Sequence, residues 1–129
     1  MELYWWLARV GYKPYFSNIG RNADCPDHIA GLLLETIKRA HRETGQRVRI
    51  IGHSLGGMLG RSVALDYPEY VSLVISMGSP FRDAVKAHPV LISATAALRG
   101  AHGRPIAQNV KPSCFSGHCT CAFVKNMIA

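Results

Sequence analysis

The sequence predicts an α/β fold in which helices cover both faces of a parallel sheet, so that three layers stack as α/β/α. Two observations support this prediction. Helix and strand patterns alternate as helix, strand, helix, strand, helix, strand through residues 1–80. The strand patterns at residues 48–51 and 71–77 are rich in β-branched residues, which is typical of strands buried on both faces. Alternation of this kind is characteristic of parallel strands joined by crossover helices.

Local signals set the expected bounds of each element. Apolar residues at i, i+3, i+4 and i+7 over residues 3–10 indicate a short amphipathic helix, and residues 13–17 predict a short strand. Pro26 is suited to the first turn of a long helix that ends near Thr44. A further helix directly follows the strand pattern at residues 48–51 and ends before Pro68.

Residues 81–129 break the alternation. Part of this stretch is helical in pattern, a segment rich in glycine, proline and polar residues follows, and the last residues are apolar without a clear period. We therefore divide the chain into a core over residues 1–80 and a lid-like, cap-like or irregular insertion over residues 81–129. Residues 90–98 include an apolar run, which predicts either a lid over a reactive site or an ordinary surface helix.

Composition excludes several classes of protein. The chain has 129 residues, of which 48% are hydrophobic, so it can bury a core and forms one domain or part of one. No apolar run reaches the roughly 20 residues that span a bilayer. The formal net charge is +7, but most cations are scattered, and the one cluster lies at a helix end, where it complements the helix dipole. No nucleic-acid motif accompanies the charge, so we expect no nucleic-acid partner.

The amino terminus and the cysteines bear on the compartment and on metal binding. Glu2 stands where a secretory leader would be basic, which slightly favours the cytoplasm and leaves a secreted parent protein open. Cys114, Cys119 and Cys121 with His118 do not follow a known zinc spacing, so we predict no metal site. A disulfide from Cys114 and free thiols are the alternatives.

The candidate reactive residues lie between the strand pattern at residues 48–51 and the helix that follows it. They fit the pattern G-x-S-x-G with one more glycine, and they are Gly52, His53, Ser54, Leu55, Gly56 and Gly57. A strand running in and a helix running out form a nucleophile elbow, in which the serine lies on a strained turn with its hydroxyl exposed. We expect Gly52 and Gly56 to remove collisions across the turn, and the Leu55 N–H to hold an oxyanion.

A glycine-rich turn between a strand and a helix can also pack tightly or bind phosphate without catalysis. A phosphate loop requires a lysine before its serine or threonine, and none is present. The dinucleotide pattern G-x-G-x-x-G is also absent from this turn. The sequence therefore favours a catalytic serine at residue 54, and it implies no cofactor.

Residues 48–80 resemble the core of α/β-hydrolase esterases and lipases. The similarity lies in the order strand, Gly-His-Ser-Leu-Gly-Gly, helix, Tyr-Pro-Glu-Tyr-Val, strand and Gly-Ser-Pro. The resemblance implies an incomplete α/β-hydrolase fold and hydrolysis of a carboxylic ester through an acyl-enzyme on Ser54. It implies a small-molecule or lipid ester as substrate, with peripheral contact to a lipid surface as a further option. Acyl transfer by the same elbow and a non-catalytic binding domain are the alternative functions.

The resemblance also implies a triad in the chain order serine, acid, histidine. Asp83 follows the strand after the nucleophile helix, where some lipases place the acid. Three histidines later than Ser54 follow no recognisable strand, and they are His88, His102 and His118. His53 is fixed beside the serine and is expected to point elsewhere.

The family's second oxyanion donor comes from a loop after an earlier strand, which the sequence does not contain. In the family sheet this strand lies between the strand expected at residues 13–17 and the strand at residues 48–51. Its absence would leave a gap in the sheet and expose strand edges. We therefore expect the chain to be a fragment with little or no activity by itself.

Overall fold

The structure, a computed structural model, describes residues 2–20, 25–79, 81 and 122–128. The elements in chain order are α1 (Glu2–Arg9), α2 (Pro26–Thr44), β1 (Val48–His53), α3 (Leu55–Asp66), β2 (Val71–Met77) and α4 (Ala122–Ile128). The order α1, α2, β1, α3, β2 confirms the predicted alternation except for the strand expected at residues 13–17.

The two strands form a parallel pair that ends at the predicted elbow. β1 and β2 are neighbours in a two-stranded sheet, and their register runs from Val48 opposite Val71 to His53 opposite Met77. The ladder continues for one more residue, because the Ser54 N–H donates to the Met77 carbonyl oxygen over 2.8 Å. Ser54 therefore lies at the carboxyl edge of the sheet.

The hydrophobic core lies between one face of this sheet and the helices. Leu59 on α3 is completely buried, and Gly60 lets the helix approach β1 closely, since a Cβ there would lie 2.9 Å from the Ile50 side chain. The remaining buried residues of the core come from five elements and are Ile29, Leu33, Leu34, Ile37, Ile50, Met58, Val63, Val71 and Phe123. Leu32 of α2 is apolar but exposed.

The opposite face of the sheet is open in the described part of the chain. Ile51, Leu73, Ile75 and Met77 point to this face and are 37–48% exposed. The described residues thus form two of the three predicted layers, sheet and helices on one side. Burial of both strand faces, which the β-branched composition predicts, is reached here on the α3 side only.

The strand predicted at residues 13–17 is not formed, and residues 12–20 have neither helix nor strand conformation. A strand needs a neighbour for its backbone hydrogen bonds. β1 and β2 are the strands of the described residues, and they pair with each other and not with this segment. Side chains hold the segment instead: Thr36 Oγ1 donates to the Ser17 carbonyl over 2.9 Å, and Arg49 donates to the Tyr12 hydroxyl over 3.1 Å.

Helix α1 ends as its sequence predicts. Gly11 has φ 96°, its N–H donates to the Ala8 carbonyl, and the Tyr12 N–H donates to the Leu7 carbonyl. This pair of bonds is the Schellman motif, which requires a left-handed residue and so favours glycine. The helix buries none of its residues, and the Tyr4 ring stacks on Phe16 of the following segment at a centroid distance of 4.5 Å.

A surface cluster ties the segment after α1 to α2. The Tyr15 hydroxyl and the Lys13 ammonium both donate to Glu43, over 2.6 Å and 3.0 Å. The Tyr15 hydrogen bond, followed by that of Lys13, lowers the pKa of the Glu43 carboxyl from its ordinary value of 4.5. Because the pKa is lower in the folded state, the contribution to stability is present above 4.5 and is lost as the pH falls through the folded-state pKa.

We therefore expect acidification to release Tyr15 and Lys13 from Glu43. Below the pKa of Glu43, the NMR signals of the Tyr15 ring should move toward those seen in Glu43→Gln at neutral pH. Glu35→Gln is the control, because Glu35 is another exposed carboxylate of α2 and makes only a 3.8 Å ion pair with Lys38. If the NMR signals of the Tyr15 ring showed the same pH dependence in Glu43→Gln, protonation of Glu43 would not be its cause.

Helix α4 docks on α2 and α3, although residues 81–129 read as a lid-like or irregular insertion in the sequence. The Asp27 carboxylate accepts from the Ala122 and Phe123 N–H groups over 3.2 Å and 2.9 Å. Asn126 Nδ2 donates to Ser62 Oγ over 2.9 Å, and Phe123 is buried. The last helix thus belongs to the same core as β1 and β2.

Asp27→Ala is expected to loosen α4 without unfolding the rest of the protein. A carboxylate that caps a helix contributes about 1 kcal/mol. Hydrogen exchange of the amides of residues 122–128 should therefore become about fivefold faster. Glu35→Ala, which removes an exposed carboxylate from the same α2 helix, should leave these amides unchanged. Equal acceleration in both variants would show that Asp27 does not hold α4.

Candidate active site

Ser54 is the single residue between β1 and α3, and its backbone is strained. Its φ and ψ are 52° and −122°, and the only other described non-glycine residue with positive φ is Asn18. A side chain in such a conformation costs about 1–3 kcal/mol and persists only where the surroundings impose it. The chain reverses here from a strand into a helix, and Ser54 is exposed at the top of the turn.

Gly52 is required by the close return of the chain. A Cβ at Gly52 would lie 2.5 Å from the carbonyl carbon and oxygen of Gly56 and from the amide nitrogen of Gly57. Real Cβ atoms do not approach backbone this closely, so only glycine fits. The collision expected at this position in the sequence is present.

Gly56 does not have the role that the motif predicts for it. A Cβ there would meet nothing within 4 Å. Gly57 is the second crowded position, since a Cβ on it would overlap the hydroxyl oxygens of Ser76 and Ser79 and lie 3.1 Å from the Gly52 carbonyl oxygen. The prediction failed because the crowding comes from β2 and the residues after it, whereas the motif records only the local chain.

The carbonyl group of Ser54 is held from two sides. Ser79 Oγ donates to the Ser54 oxygen over 2.7 Å, and the Gly57 N–H donates to it over 3.1 Å. The Ser54 side chain makes no capping hydrogen bond to α3. The backbone of residue 54 is thus fixed while its hydroxyl stays available.

Leu55 is the first residue of α3, as the predicted oxyanion role requires. The first N–H groups of a helix have no intrahelical partner, and the helix dipole makes this end positive. A negative oxygen that forms above Ser54 would meet both effects.

Neither His53 nor His41 is placed as a base beside Ser54. The His53 side chain is exposed on the open sheet face, and its Nε2 is 3.6 Å from where a Cβ on Gly78 would lie. His41 Nδ1 contacts the Gln46 carbonyl oxygen at 2.9 Å and its ring packs on Tyr70. Gln46 and Tyr70 lie just before β1 and β2, so His41 lies near the amino ends of the strands, whereas Ser54 lies at their carboxyl ends.

Other predicted participants lie outside the described residues. They are Asp83, His88, His102 and His118, the cysteines Cys114, Cys119 and Cys121, and the apolar run over residues 90–98. Within the described ranges, no three His, Cys, Asp or Glu side chains form a group that could hold a metal. No described helix is both long and apolar enough to traverse a bilayer.

Ser79 is the site residue that sequence reasoning missed. The signal was present in Gly-Ser-Pro directly after β2. The carboxyl ends of neighbouring parallel strands meet at one edge, so a polar residue just past β2 should lie near the residue just past β1. Applied to residues 54 and 79, that rule predicts that the two residues lie close together.

Comparisons with known proteins match the chain to one fold family. The α/β hydrolase fold family matches residues 26–98. A triacylglycerol lipase of Pseudarthrobacter phenanthrenivorans is 32% identical over 109 residues, which cover 71% of this chain and 34% of that protein. A triacylglycerol lipase of Burkholderia plantarii is also 32% identical over 109 residues, covering 71% of this chain and 30% of that protein.

The chain spans about a third of the length of these curated relatives. No solved structure matches it at a significant level. The family match covers more than half of the chain and includes β1, the turn at Ser54, α3 and β2. The chain belongs to the α/β hydrolase family.

Proposed function

We propose that the protein is a serine hydrolase that cleaves carboxylic esters with Ser54 as its nucleophile. The observation that carries this proposal is the strained Ser54 backbone, at φ 52°, between a parallel strand and the start of a helix. Such strain is expected where a hydroxyl must be presented for reaction, and a turn that only reverses the chain would place glycine there.

The reaction proceeds through an acyl-enzyme. Ser54 Oγ forms a bond to the acyl carbon while a histidine takes its proton, and the carbonyl oxygen becomes an oxyanion near the Leu55 N–H. Collapse breaks the ester C–O bond, and the histidine returns the proton to the leaving alcohol. Water then attacks the acyl carbon in the same way, which releases the carboxylic acid and restores the Ser54 hydroxyl.

The histidine and its acid partner come from outside the described residues in this proposal. Asp83 remains a candidate acid, and the three histidines later than residue 80 remain candidate bases. The substrate class we propose is a lipid ester, because the two relatives are named triacylglycerol lipases.

A fluorophosphonate probe tests the proposal in the full-length protein. The phosphorus should become bonded to Ser54 Oγ with loss of fluoride, and peptide mapping should place one adduct on residue 54. Ser72→Ala is the control, because Ser72 is an exposed serine on β2 whose hydroxyl contacts only the Val48 carbonyl at 3.3 Å in the described structure. Absence of an adduct at Ser54 would overturn the proposal and favour a non-catalytic binding domain.

A further inference from the structure

The peptide unit between Ser54 and Leu55 links the nucleophile to the proposed oxyanion donor. A trans peptide is planar, so the Ser54 carbonyl and the Leu55 N–H point in opposite directions from one rigid group. Whatever fixes the Ser54 oxygen therefore also aims the Leu55 N–H. The strained turn cannot set this direction by local preference, because positive φ is unfavourable for serine.

Two donors fix that oxygen, and they differ in kind. The Gly57 N–H, at 3.1 Å, belongs to the first turn of α3 and moves with the helix. Ser79 Oγ, at 2.7 Å, comes from the segment after β2, which is a separate element. The Ser54 N–H is also bound to that side, through the Met77 carbonyl at 2.8 Å. The β2 side thus holds both polar backbone groups of residue 54.

We infer that Ser79 is a positioning residue, which aims the Leu55 N–H at the oxyanion by holding the Ser54 carbonyl. Its hydrogen bond also polarises the shared peptide group, and this makes the N–H a stronger donor. This inference rests on the proposed function and assigns a role to a residue outside the G-x-S-x-G motif. Ser79 touches neither substrate nor the reacting hydroxyl in this role and acts only through the peptide.

The test compares Ser79→Thr with Ser79→Val in the full-length protein. These two side chains have nearly the same shape and differ in a hydroxyl, so their comparison isolates the hydrogen bond from packing beside Gly57. We expect kcat for a soluble ester to be at least about tenfold lower in the valine variant, with KM within about twofold. The effect falls on kcat because the oxyanion exists only in the transition state.

A second readout separates aiming from general loosening of the site. In a thionoester, sulfur replaces the carbonyl oxygen that would become the oxyanion. Sulfur accepts only a weak hydrogen bond from the oxyanion donor. The ratio of ester to thionoester rates should therefore drop in Ser79→Val and in Ser79→Ala, and stay high in Ser79→Thr. A purely structural role would lower both rates together and leave the ratio unchanged.

Ser76→Ala is the matched control. Its hydroxyl crowds Gly57 as the Ser79 hydroxyl does, yet it is buried and has no hydrogen-bond partner in the described structure. Removing it should leave kcat and the rate ratio at wild-type values.

Equal kcat values for the threonine and valine variants, with Ser54 still labelled by fluorophosphonate, would overturn the role of Ser79 alone. An unlabelled wild-type protein would overturn the proposed function and this inference with it.

Discussion

Ser54→Gly is expected to abolish ester hydrolysis and, at the same time, to make the protein more stable. Loss of the proposed nucleophile should lower kcat by at least about 10³-fold. The glycine removes the side chain that makes φ 52° unfavourable, which relieves about 1–3 kcal/mol of strain. Greater freedom of the unfolded chain offsets about 0.5–1 kcal/mol of this gain.

The comparison with Ser54→Ala isolates the strain. Alanine also lacks the hydroxyl, so its activity should be equally low, but it keeps a Cβ at the same φ. The free energy of unfolding, measured in urea, should therefore be about 1 kcal/mol higher for the glycine variant than for the alanine variant. If alanine proved as stable as glycine, residue 54 would not be strained, and the structural basis for a nucleophile elbow would be lost.

Gly52→Ala should have the largest effect on folding of any single methyl addition to the elbow. The new Cβ would lie 2.5 Å from backbone atoms of Gly56 and Gly57, which cannot rotate away as a flexible side chain could. β1 and α3 would have to separate, and this would disturb the close approach of Gly60 to Ile50. We expect a loss of about 3 kcal/mol or more in the free energy of unfolding.

The control lies four residues further along in the same motif. Gly56→Ala adds the same methyl group where nothing lies within 4 Å, and alanine is the better helix former inside α3. Its free energy of unfolding should be unchanged or higher by up to about 1 kcal/mol. A Gly56→Ala variant as unstable as Gly52→Ala would show that the close return of the chain differs from the one described.

The sequence predicts those parts of the fold whose causes are local. Helix α2 begins at Pro26 and is followed by Gly45, which has φ 67°. Both bounds of this helix are therefore set by local residues. The β-branched runs of β1 and β2 and the proline after α3 work in the same way. The elbow is also a local feature, because a strand, G-x-S-x-G and a helix are contiguous.

The parts that sequence reasoning missed depend on partners far along the chain. Residues 13–17 have strand-like composition, but no strand of the described residues pairs with them, so composition alone misleads. Gly57 is crowded, and Ser54 is anchored, by side chains on or after β2, about 20–25 residues away. Docking of α4 depends on Asp27, which a sequence pattern assigns only to the first turn of α2.

The hydrogen bonds between the Asp27 carboxylate and α4 have a consequence for the order in which the elements assemble during synthesis. Its hydrogen bonds join residues 95 and 96 positions apart, whereas β1, α3 and β2 are consecutive and can assemble early. At ordinary ribosome speeds the interval between emergence of β2 and of Phe123 is about 2–10 s. The contacts of Phe123 with the core are therefore among the last of the described contacts to form.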